Sequence, residues 1–127
     1  MRYLDFDQLQ TNLSLGKAVE QWLGTTDQGE YTTIQWVRIY KERPYGDVYN
    51  VCYHDVFDDG GNEFTDIVEF DGVDPDHPFG TAKSFYSYQE ALNFAVQTFN
   101  CKLERFVNSG SIQSEYIEYL RARKNKS

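Results

Sequence analysis

Between Pro44 and Ala82 the chain has no Lys and no Arg, although twelve occur elsewhere in its 127 residues. Cysteine is equally scarce, with Cys52 and Cys101 alone. Two thiols do not make the disulfide scaffold of a small secreted domain, so both are expected reduced and buried in a cytoplasmic protein. Two His and two Cys are also too few and too scattered for a zinc site, which takes three or four such ligands at set spacing. No apolar run approaches the roughly 20 residues a membrane-crossing helix needs. The N-terminus shows no basic segment followed by an apolar one, so no signal peptide and no membrane role are expected. Phosphate-binding loops, dinucleotide-binding glycine patterns, nucleophile elbows and zinc-protease motifs are all missing. Cys52 and His54 are two apart on one strand, about 7 Å at their origins, with no third group to orient them. They read as a buried thiol beside a half-buried imidazole, and the protein is expected to be non-enzymatic.

What is present is acid and aromatic. The Lys- and Arg-free stretch holds ten of the twenty Asp and Glu, and the net charge is −8. Such a block repels itself unless a cation or a basic partner neutralises it, and it disfavours nucleic acid. Ten Tyr, nine Phe and two Trp set the chain apart from disordered acidic sequences. A chain of this length supports one domain with one modest core.

The order of elements follows from periodicity. Asp5-Phe6-Asp7-Gln8 fits a capping box, and apolar residues recur with helical spacing from Leu9 through Val19, Trp22 and Leu23 to a stop at Gly24. Thr25 to Glu30 reads as a polar loop. Tyr31–Lys41 and Val48–Phe57 are rich in β-branched and aromatic residues and read as strands. In the second, Tyr49, Val51, Tyr53, Asp55 and Phe57 share one face. Asp58-Asp59-Gly60-Gly61 is a hairpin turn leading to a third strand, Phe64–Phe70, and Asp71–Gly80 is loop. Thr81–Tyr86 reads as a short strand, Ser87 to Phe99 as a capped helix, and Lys102–Val107 as a fifth strand. Ile112, Tyr116 and Leu120 mark a last helix ending in the basic tail 121–127, expected to fray. The sum is a single α+β domain over residues 1–127. Its antiparallel sheet has four to five strands, with an N-terminal helix, a helix between the last two strands and a C-terminal helix, the helices on one sheet face. This short acidic build resembles that of small bacterial accessory and immunity-type proteins; no residue role is carried over from the likeness.

Two functional readings and a remainder follow. In the first, an acidic, Tyr-bearing hairpin engages a basic protein partner: Asp58, Asp59, Glu63 and Asp66 steer it, and Tyr49 or Tyr53 anchors it. In the second, Asp55, Asp58, Asp59, Asp71, Asp74 and Asp76 supply oxygen ligands to Ca²⁺, which takes six to eight of them on a bent chain. The EF-hand register is absent, and hairpin turns prefer the same residue types. An enzyme of unrecognised type ranks last.

Overall fold

The sheet is antiparallel, and its order among the described strands is β4-β3-β2-β1-β5. The structure is a computed structural model that describes residues 3–42, 48–58, 72–73 and 81–125, the side chains of 123–125 excepted. The elements run α1 (Phe6–Ser14), β1 (Val19–Asp27), β2 (Thr32–Glu42), β3 (Val48–Phe57), β4 (Thr81–Phe85), α2 (Tyr88–Phe99), a 3₁₀ turn (Leu103–Arg105), β5 (Val107–Asn108) and α3 (Ile112–Asn125). The α+β class and the expected order of helices and strands are observed. The strand expected at Phe64–Phe70 and the loop at Asp71–Gly80 fall outside the described residues, apart from Gly72 and Val73.

Local chemistry sets the boundaries. Asp5 accepts the Gln8 backbone N–H at 2.8 Å and Gln8 Oε1 accepts that of Asp5 at 3.0 Å, closing the capping box at the start of α1. The helix stops at Ser14, and Gly16 (φ +83°) turns the chain away. The helical reading of 18–23 is therefore corrected: Val19 to Asp27 is a strand. Apolar residues at 19, 22 and 23 satisfy both periods, and Glu20 and Gln21 between them are buried as strand residues, at 1% and 2% exposure. Thr25–Asp27 extends this strand where a loop was expected, and Gly29 N–H donates to Asp27 Oδ1 in the tight turn to β2.

A second correction concerns Lys102–Val107. The Lys102 carbonyl accepts from Gln21 Nε2, and the Lys102 N–H donates to Gln21 Oε1, both at 2.8 Å. A buried side chain thus takes the bonds a neighbouring strand would have taken. The backbone closes a 3₁₀ turn, and Val107–Asn108 alone joins the sheet.

Helices cover both faces of the sheet, not one. On one face, Leu9 and Leu13 of α1 and Ala91, Leu92 and Ala95 of α2 pack against Val19, Val37, Ile39, Tyr49 and Val51. On the other, Ile112 and Tyr116 of α3 pack against Ile34, Trp36 and Val56, with Trp22, Tyr119 and Leu120 at the margin. A two-residue period along β2 and β3 feeds both clusters, so these central strands are apolar on both sides. Truncating Leu9 or Leu13, both fully buried, to Ala costs about 2–5 kcal/mol. α3 covers part of its face. Arg38, Tyr40, Cys52 and His54, on the same face by strand alternation, line a cavity.

Candidate functional site

The alternation of β3 places Tyr53 and Asp55 on the α1/α2 face, past the end of α2. There they line a groove of about 520 Å³ with Leu23, Thr26, Thr33, Gln35, Phe99 and Asn100 among its other walls. Its floor is a polar network instead of more core. Gln35 lies directly across from Asp55 in the β2–β3 register. The Gln35 amide donates to Asp55 Oδ1 at 2.8 Å and to Thr33 Oγ1 at 2.9 Å, and its oxygen accepts from the Thr26 hydroxyl at 3.1 Å. These bonds fix the amide's orientation and leave the carboxylate held on a rigid sheet.

Aromatic stacking builds the wall. The Tyr53 ring lies 4.6 Å from that of Phe99 and 8° from parallel. Asn100 ends α2 in the left-handed conformation at φ +63°. Thr98, Phe99 and Asn100 therefore bring the carbonyl end of a helix, with its partial negative charge, to the groove's edge. No Lys, Arg or His is among the described lining residues. Burial, with the Asp55 carboxylate beside it, pushes the Tyr53 phenol up, so it stays protonated. The groove thus offers a fixed anion, an aromatic face and several hydroxyl and amide dipoles.

Of the residues singled out for partner binding, Tyr53 stands in this groove and Tyr49 does not. Tyr49 is 5% exposed, edge-on to Tyr88, with the Lys41 ammonium 5.7 Å from its ring centre. It is a core residue. Asp58 accepts the Tyr116 hydroxyl at 2.6 Å and so ties β3 to α3. Asp59, Glu63 and Asp66 lie outside the described residues, as do Asp71, Asp74 and Asp76 of the Ca²⁺ reading. Its two described ligands diverge: Asp55 faces the groove and Asp58 reaches α3 on the other side. Among the described residues no group of three or more His, Cys, Asp or Glu is placed to hold a metal ion.

Cys52 and His54 share the opposite face. Neither cysteine is in a disulfide. Burial pushes both thiols up, that of Cys101 to about 12, so neither is poised as a thiolate. Gln35, Thr26, Thr33 and Asn100 were not anticipated as site residues. The available signal was Gln35 itself, a polar residue on the same strand face as Val37 and Ile39.

No helix among the described residues is long and apolar enough to cross a membrane. No protein-family model, curated protein or solved structure matches the chain.

Proposed function

We propose that the protein is a small acidic binding module without catalytic activity. Its groove takes a Lys or Arg side chain of a basic protein partner, with Tyr53 as aromatic anchor and Asp55 as counter-charge. One observation carries this reading: a fixed carboxylate, a stacked aromatic pair and a helix carbonyl end meet in one groove whose described walls hold no cation. A guanidinium or ammonium gains from all three, through ion pairing, cation–π contact and the helix dipole. The acidic stretch 44–82 supplies the long-range field that speeds encounter.

Calorimetry with a short Arg- and Lys-rich peptide tests the reading. Saturable binding is expected, weakening about tenfold between low and high salt as screening shortens the field. Asp55→Asn and Tyr53→Ala should each weaken it about tenfold or more, since each removes a desolvated contact. Equal affinity of both variants and the wild type would place the basic partner elsewhere.

A further inference from the structure

The described walls of the cavity on the other sheet face carry a cation in place of an anion. Arg38, Tyr40, Cys52 and His54 line a space of about 340 Å³, within the usual range for small-molecule sites. The Arg38 Nε is buried without a hydrogen-bond partner, and so is the Trp36 indole nitrogen two residues earlier on the same strand face. Two buried donors without acceptors are unusual, since each such loss costs about 1–3 kcal/mol. Across the ladder from Arg38 on β1 stands Glu20, whose carboxylate accepts the Gly110 N–H at 2.9 Å and makes no hydrogen bond to the buried Arg38 Nε. Burial raises the Glu20 pKa, and the Gly110 N–H and then Arg38 draw it down.

Shape and polarity narrow the ligand. The His54 ring lies flat on Trp36, 4.0 Å between centroids and 8° from parallel, and gives the cavity an aromatic wall. Tyr40 adds a second ring, 5.8 Å from the Arg38 guanidinium carbon. His54 is held neutral, first by burial and then by Arg38, so it adds no second cation. Among the described lining residues Arg38 is the one cation, and with Glu20 offsetting part of its charge these walls suit a single negative charge better than a phosphate dianion. A carboxylate also matches the two-pronged geometry of an Arg side-on edge, which uses Nε–H.

We propose that this cavity binds a small monocarboxylate with a flat apolar body, its carboxylate on Arg38 and its body against Tyr40 and His54. A slight turn of the guanidinium toward the cavity brings the covered Nε–H to the ligand and satisfies it. This site is independent of the groove on the opposite face, and either can be disproved without the other.

The test is an NMR titration of the full chain with benzoate, read at the Arg38 Nε–Hε and His54 ring signals. Propionate and inorganic phosphate serve as comparisons. Saturable shifts are expected at both residues with benzoate, a weaker response with propionate and the weakest with phosphate. Arg38→Met should abolish binding. Arg38→Lys keeps the charge, loses the fork, and should weaken binding about tenfold, and it decides the matter if Arg38→Met does not fold. Absence of benzoate-dependent shifts at Arg38 and His54, or wild-type affinity in Arg38→Met, or in Arg38→Lys where Arg38→Met does not fold, overturns the proposal. So does phosphate binding more tightly than benzoate.

Discussion

The Trp36 indole and the His54 imidazole lie face to face across β2 and β3, as direct register partners. Partial burial and, after it, the nearby Arg38 guanidinium lower the His54 pKa from 6.5 to about 4. In the unfolded chain the ring regains its ordinary affinity, so below pH 6.5 the unfolded state binds the extra proton. The stabilisation from neutral His54 is therefore complete above pH 6.5 and is lost as pH falls toward about 4. Between pH 7.5 and 5 this amounts to about 2 kcal/mol. Urea unfolding of the wild type and of His54→Phe, which keeps the ring on Trp36, checks it. The wild type should lose about 2 kcal/mol more than the variant over that interval. Parallel pH profiles would show that His54 titrates normally in the fold.

The Tyr116 hydroxyl and the Asp58 carboxylate join α3 to the end of β3. Tyr116 is fully buried, so a hydroxyl that loses its carboxylate acceptor is not compensated by bulk water. Tyr116→Phe should cost about 1.5–3 kcal/mol, the range for a bond to a charged group. Asp58→Ala should cost a similar amount, and the double variant little more than either. Thermal or urea unfolding of the four proteins gives the coupling directly. Additive losses would mean that the two groups act separately.

Gly24 marks a register shift in the β1–β2 ladder and takes φ +146°. An added Cβ would meet nothing within 4 Å, so any penalty at this position comes from backbone conformation alone. Gly24→Ala should destabilise by about 1–2 kcal/mol through strain. Because Gly24 also lines the groove, relaxation of the bulge should weaken binding of a basic peptide as well. Unchanged stability in urea would show that the bulge accommodates a side chain.

These relationships also show what was legible beforehand. The bounds of β3 and the two caps at Asp5 and Ser87 follow from local pattern and chemistry. The strand nature of Val19–Asp27 does not, because its apolar positions suit either period. Only its partners settle it: β2 on one side and β5 on the other. The same holds for the 3₁₀ turn after α2, which depends on Gln21, 81 positions away. Tyr53 and Asp55 were legible as neighbours on one strand face. Their groove was not, since Gln35 reaches Asp55 through hairpin register and Asn100 arrives by helix packing. Tyr49 lies outside the groove for a related reason. Strand alternation gives it the same face as Tyr53, but the helices cover that face at Tyr49 and end before Asp55.

The groove's preference for a cation is the central claim, and a titration with butylguanidinium tests it most directly. Followed by ¹H–¹⁵N NMR, the largest shifts should fall on the Gln35 side-chain amide and on the backbone of Tyr53, Asp55 and Phe99. They should shrink strongly in Asp55→Asn, while an uncharged amide of similar size moves none of them. Shifts that map elsewhere, or that persist undiminished in Asp55→Asn, would contradict the account.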